Sequence, residues 1–110
     1  MTEEAGLLSR LAARLEGLAA QGNTAPYGGL AADLNIPGPG SIAKLAQALE
    51  TLMEADAAIG RPMRAALCEA RLGGGRPAPG FFEKAAALGF DVSDPDRFVK
   101  NIRERLFEKS

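Results

Sequence analysis

Proline and glycine interrupt the sequence at several points and limit how long any helix can be. The run Pro-Gly-Pro-Gly at residues 37–40 ends any helix, because proline removes a backbone donor and glycine is conformationally permissive. Gly60 with Pro62, and the glycine- and proline-rich stretch 73–80, act in the same way further along. The length of 110 residues predicts one domain, residues 1–110, and these breaks divide it mainly into separate helices.

Apolar spacing predicts two amphipathic helices in the first half of the chain. Leucines recur at spacings of three and four over residues 3–20, so they share one helix face, and Gly22 and Asn23 suit the end of that helix. After a shorter helix over residues 27–34, Ser41 is expected to cap a helix that runs to about Ile59. The buried face of this second long helix is predicted to consist of Ile42, Leu45, Leu49, Leu52 and Met53.

Two further helices are predicted near the C terminus. One covers residues 81–88 and ends at Gly89. The other starts at Pro95 after a cap from Ser93 or Asp94, and runs to about residue 108. Its apolar face is predicted to consist of Phe98, Val99, Ile102 and Leu106.

Residues 63–72 allow two interpretations. Met63, Ala65 and Leu67 alternate with other residues as in a strand, whereas three alanines in the same stretch favour a helix. The propensities alone leave this segment open.

Two stretches resemble known families. Residues 27–38, Tyr-Gly-Gly-Leu-Ala-Ala-Asp-Leu-Asn-Ile-Pro-Gly, resemble the helix-turn-helix of alkylguanine-DNA alkyltransferases and alkyltransferase-like proteins. That resemblance implies a DNA-binding winged helix. The family nucleophile lies in a Pro-Cys-His-Arg motif, however, and Cys68 lies in Ala-Leu-Cys-Glu, so alkyl transfer is not expected.

The second resemblance covers the segment from Arg61 to Gly89. It carries Arg-Pro-Met-Arg-Ala-Ala-Leu and then Gly-Arg-Pro-Ala-Pro-Gly-Phe-Phe, and it is similar to small bacterial proteins of unestablished activity. In those proteins the first motif leads into a strand and the second opens a helix. The resemblance therefore implies a strand over residues 63–70. The resulting expectation is an α+β, mostly helical, winged-helix-like domain with a short β-ribbon over about residues 63–79 and two C-terminal helices.

The residue types present exclude several chemistries. The chain has no histidine and one cysteine, which excludes a His/Cys metal site, a serine triad that uses histidine, and an internal disulfide. Leu67 and Ala70 beside Cys68 predict a packed thiol rather than a reactive one. We expect a non-catalytic protein with no cofactor and no metal.

Charge is unevenly distributed along a chain of net charge −1. Residues 61–84 contain five basic and two acidic side chains, a local charge of +3, whereas residues 1–60 contain three basic and seven acidic ones. The overall balance argues against a non-specific nucleic-acid coat, because phosphate neutralisation supplies that affinity. A local basic stripe on the surface stays possible.

The leading functional hypothesis is binding of double-stranded DNA. Ser41, Lys44 and Gln47 are expected on the outer face of the long second helix, where such side chains contact base edges or phosphates. Arg71 and Arg76 flank three glycines and are predicted to contact phosphates from the tip of the ribbon.

The alternative is a protein-interaction or homodimerisation module on the same fold, without nucleic-acid binding. The dimer contact would use the N-terminal helix face, which consists of Leu7, Leu11, Leu15 and Leu18. No apolar run is long enough to cross a bilayer, and Glu3 and Glu4 are unlike a secretory signal, so a cytoplasmic location is expected.

Overall fold

The computed structural model describes residues 3–108, with side chains from Ala5 onward. The predicted class, α+β and mostly helical, is confirmed over these residues. The elements in chain order are α1 (Glu3–Gln21), β1 (Ala25–Pro26), α2 (Tyr27–Asp33), α3 (Ser41–Ala58), a 3₁₀ helix (Arg64–Leu67), β2 (Cys68–Glu69), α4 (Pro79–Ala87) and α5 (Pro95–Glu108). The 3₁₀ helix lies centrally and contacts α1, α3 and α5.

The leucine face of α1 forms one wall of the core, as the spacing predicts. Leu11 and Leu15 are completely buried, and Leu18 is 3% exposed. Gly22 ends the helix with a φ of 71°, and the Asn23 amide donates to the Leu18 carbonyl at 2.9 Å. This left-handed closure is the one that the Gly22-Asn23 pair predicts.

The start of α3 differs from the prediction in two respects. Gly40 is the cap residue, with a left-handed φ of 86°, and Ser41 is the first residue of the helix; no side-chain cap hydrogen bond is formed. The reason is that the glycine turns the chain one residue earlier than a serine cap requires. Ile42 also differs, because it is 47% exposed at the first turn instead of buried. The other predicted face residues are buried, namely Leu45, Leu49, Leu52 and Met53.

The β-ribbon predicted over residues 63–79 does not form. Arg64–Leu67 is a 3₁₀ helix, and Cys68–Glu69 pairs in parallel with Ala25–Pro26, with Ala25 opposite Cys68. Residues 63–68 are all buried, so the alternation of buried and exposed residues that is typical of a ribbon does not occur. After β2 the chain closes a tight turn, in which the Ala70 amide donates to the Arg76 carbonyl at 2.8 Å.

The C-terminal helices agree with the prediction. Gly89 has a φ of 98°, and the Phe90 amide donates to the Ala85 carbonyl at 3.0 Å, which closes α4. Asp94 caps α5 by accepting a hydrogen bond from the Arg97 amide at 3.2 Å. Val99, Ile102 and Leu106 are buried against the core, and Phe98 is half-buried.

An ion pair inside the core joins α3 to the 3₁₀ helix and was not predicted. The Asp56 carboxylate, 1% exposed, accepts from the Arg64 backbone amide at 3.0 Å, from Nε at 3.1 Å and from Nη2 at 2.8 Å. Arg64 Nη1 also donates to Glu16 of α1 at 2.9 Å. One guanidinium therefore holds α1, α3 and the 3₁₀ helix together.

Candidate functional site

A groove of about 680 Å³ lies between the N-terminal part of α1, the α2–α3 connection and the outer face of α3. The α1 wall includes Leu7, Leu8 and Arg10, and the connection contributes residues 35–37. The α3 wall consists of Lys44, Gln47, Ala48, Glu50, Thr51 and Glu54. The groove thus combines apolar side chains with charged and amide groups.

The apolar part of the groove comes from three different segments of the chain. Leu7, Leu8 and Ile36 are half-buried and pack against the core, and Ala48 is 6% exposed. Leu7 and Leu8 belong to α1, Ile36 to the α2–α3 connection and Ala48 to α3. These residues therefore come together only when the chain folds. An apolar surface that stays partly open to solvent between two helices is typical of a binding groove.

The polar wall of the groove is a stripe along α3. Lys44, Gln47, Thr51 and Glu54 follow one another at spacings of three and four residues, and all four are exposed. Of the predicted DNA-contacting residues, the structure places Lys44 and Gln47 together in this stripe. Ser41 is half-buried at the first turn and does not line the groove.

Arg10 is a groove residue that the sequence interpretation missed. Its Nη1 donates to the Leu34 carbonyl at 2.7 Å, just after the end of α2. This contact fixes a positive charge on the α1 side of the groove. Its only sequence signal is a cation on the solvent side of an amphipathic helix, which is too common to indicate a site.

Arg71 and Arg76 do not lie at the tip of a ribbon, because no ribbon forms. Arg76 instead makes a two-pronged ion pair with Asp96 of α5, with Nε–Oδ1 at 2.6 Å and Nη2–Oδ2 at 2.9 Å. These hydrogen bonds raise the pKa of Arg76 and lower the pKa of Asp96. Arg71 is exposed in the turn between residues 70 and 76. Their contact with phosphate stays a prediction.

Cys68 is a packed residue of the core, as its neighbours predict. It is completely buried in β2, and burial raises the pKa of its thiol to about 12. The nearby Arg103 guanidinium acts in the opposite direction and does not overcome the burial. A neutral, inaccessible thiol is a poor nucleophile.

The leucine face proposed for a dimer points into the protein's own core. Leu11, Leu15 and Leu18 are buried, and only Leu7 keeps partial exposure, in the groove. These three leucines are therefore not a free surface, because they already pack inside one chain. Homodimerisation itself stays a prediction.

Tyr27, at the start of α2, has a raised pKa that can be measured directly. Its hydroxyl accepts a hydrogen bond from the Ala78 amide at 3.3 Å. Burial raises the pKa of Tyr27 to about 12, and the charges of Cys68 and Glu50 act in the same direction. Because this is the chain's single tyrosine, its phenolate absorbance reports on one group.

An alkaline titration is expected to show the Tyr27 phenolate appearing near pH 12 in the folded protein, whereas the ordinary pKa of tyrosine is 10.0. The raised pKa contributes stability that is fully present below pH 10 and is lost as the pH rises toward 12, since the unfolded chain ionises first. Urea-unfolded protein is the control, and its tyrosine should titrate near the ordinary pKa of 10.0. A titration midpoint near pH 10, in protein that keeps its native circular dichroism spectrum, would contradict the burial of Tyr27.

The described part of the chain shows neither a membrane-crossing helix nor a metal centre. Within residues 3–108 no helix has the length and apolar character to cross a membrane. Among the same residues there is no cluster of three or more His, Cys, Asp or Glu arranged to hold a metal ion.

Comparisons with protein-family models, with curated proteins and with solved structures found no match for this chain. Both family resemblances noted in the sequence therefore stay predictions.

Proposed function

We propose that this protein is a non-catalytic binding module, and that the groove between α1 and α3 takes a segment of a partner protein. The observation that supports the proposal is that one groove combines apolar surface with polar surface. Half-buried Leu7, Leu8 and Ile36 offer apolar contact, while an exposed polar stripe on α3 flanks them. Apolar contact inside a polar rim is the usual anatomy of a protein–protein interface.

The charges of the groove favour a protein partner over a nucleic acid. Arg10 and Lys44 are balanced by Glu50 and Glu54 among the lining residues. Affinity for duplex DNA depends on basic side chains that displace counterions from phosphates, and carboxylates beside them repel the backbone. A balanced groove is instead suited to a partner with charges of both signs.

Duplex DNA is the second candidate, and a specific arrangement supports it. A seven-residue α2 is followed by a connection and then by the long α3, which is the order of a helix-turn-helix. Lys44 and Gln47 are exposed in the N-terminal half of α3, the half that enters the major groove in such proteins. In this proposal the helix-turn-helix of a winged-helix-like domain binds DNA without a wing.

The test is selection of binding peptides from a displayed random library, followed by affinity measurements on two matched variants. Thr51→Trp obstructs the groove from its exposed α3 wall, and Ala43→Trp introduces the same side chain at an exposed α3 position outside the lining. Selected peptides are expected to bind wild type and Ala43→Trp alike and to bind Thr51→Trp roughly tenfold more weakly, a loss of about 1.4 kcal/mol. Equal binding of the peptides to both variants would contradict the proposal that they bind in this groove.

A parallel titration with a labelled random duplex at about 50 mM and about 200 mM salt tests the second candidate. DNA binding is indicated by a Kd in the range of ~10⁻⁴–10⁻⁶ M that weakens steeply with salt. Lys44→Ala should then lower the salt slope by about one. An unchanged slope in this variant would remove α3 as the phosphate-contacting surface.

A further inference from the structure

The charges on the α3 wall of the groove are ordered along the helix. Lys44 lies toward the N-terminal end, and Glu50 and Glu54 lie toward the C-terminal end. The ten residues from Lys44 to Glu54 correspond to a rise of about 15 Å. The helix dipole has the same sense, positive at the N terminus and negative at the C terminus, so it reinforces this order.

Two of these charges have no ionic partner within the part of the chain whose side chains are described, residues 5–108. Lys44 and Glu50 make no ion pair there, whereas Glu54 pairs with Lys84 of α4. Lys44 is exposed, and Glu50 is half-buried in the groove wall. An occupant that brings an opposite charge to each of them gains two ion pairs without breaking one inside the protein.

The elements around the groove favour a helical occupant. A peptide that binds as a strand pairs its backbone with an open sheet edge. The two described strands have two residues each, pair with one another, and contribute no residue to the groove lining. A helix, in contrast, lays an apolar stripe spaced at three and four residues between two helices.

We infer that the occupant is an amphipathic helix of a partner protein whose charges are separated along its length. Its apolar stripe lies against Leu7, Leu8 and Ile36. Its acidic end lies beside Lys44, and its basic end lies beside Glu50. The inference rests on the proposed function, because it specifies which segment the same groove accepts.

The probes are two synthetic helical peptides of about four turns with the same leucine stripe and the same composition. In the segregated peptide, glutamates occupy one end and lysines the other; in the mixed peptide, the two types alternate along the polar face. The segregated peptide is expected to bind roughly tenfold more tightly, a gain within the range of two exposed ion pairs. Equal affinity would overturn the inference.

Orientation gives a second, independent readout. A spin label on the acidic end of the segregated peptide is expected to broaden amide signals near Lys44, and a label on its basic end those near Glu50. When the label stays at the same peptide terminus, exchanging the glutamate and lysine ends should exchange the two patterns. Broadening that does not follow the acidic end would overturn the inference.

A matched pair of protein variants completes the test. Lys44→Glu is expected to remove the tenfold preference, and Lys100→Glu, an equal charge change at an exposed α5 position outside this groove, should keep it. Library-selected peptides that bind the groove while the segregated peptide does not would overturn the charge order and leave the proposed function standing. Absence of any groove-binding peptide would overturn both.

Discussion

Asp56→Ala is expected to lower the free energy of unfolding by about 3–5 kcal/mol, the usual cost of removing one partner from a buried ion pair. The carboxylate is 1% exposed and accepts three hydrogen bonds from the backbone amide and side chain of Arg64. Removing it leaves a buried guanidinium that has Glu16 as its remaining partner. A loss of this size is a large part of the ~5–15 kcal/mol that stabilises a typical domain.

Urea unfolding followed by circular dichroism measures this loss. Glu83→Ala, on the exposed side of α4, is the control and should stay within about 0.5 kcal/mol of wild type. The double variant Asp56→Leu with Arg64→Met should recover most of the stability, because apolar residues of similar size often replace a buried pair without loss. A loss below about 1 kcal/mol in Asp56→Ala would contradict the buried pair, since a surface pair contributes that little.

The helices were predictable because their signals are local. Leucine spacing, the glycines after α1 and α4, and the Asp94-Pro95 start of α5 act within one or two turns of chain. Asp56 could also have been noticed: it follows Leu49, Leu52 and Met53 on the buried face of α3, where an unpaired carboxylate is not tolerated. Its partner Arg64 lies eight residues further on, and only the fold brings the two together.

The strand over residues 63–70 that the second family resemblance implies forms only at Cys68–Glu69, because tertiary contacts override the local pattern of the preceding Arg64–Leu67. Alternation predicts a strand only when one face meets solvent, and this segment is enclosed by α1, α3 and α5. In the alternating pattern, Arg64 occupies a position that is expected to face solvent. It is nevertheless only 7% exposed, because it forms an ion pair with Asp56 inside the core. The short parallel pairing with Ala25–Pro26 is a contact between distant segments that no local pattern indicates.

The α3 wall of the groove was predictable because helical spacing is a local signal. Lys44 and Gln47 were identified because helical spacing alone puts them on the outer face of α3. The opposite wall, with Arg10 and Ile36, depends on how α1 and the α2–α3 connection pack against that face. The ion pair of Arg76 was not predictable, because its partner Asp96 lies twenty residues away in the sequence.

Leu11→Asp is expected to unfold the chain rather than to dissociate a dimer. Leu11 is completely buried, so the variant places a carboxylate among the apolar side chains of the core. Burying a carboxyl group without a hydrogen-bond partner costs several kcal/mol even when the group takes up a proton and becomes neutral. The lost apolar packing of the leucine adds to that cost. Circular dichroism at neutral pH is expected to show a largely unfolded spectrum.

Leu7→Asp is the matched variant, because Leu7 belongs to the same face of α1 but is half-buried and lines the groove. It should remain folded, with its carboxylate open to water, and any self-association that uses the groove should weaken in light scattering across a concentration series. Leu11→Asp that stays folded with an unchanged Tm would contradict the burial of the leucine face and restore that face as a surface for a second copy. If Leu11→Asp unfolds while Leu7→Asp stays folded, the inner leucines of α1 belong to the core, and the groove is the part of that helix left for a partner.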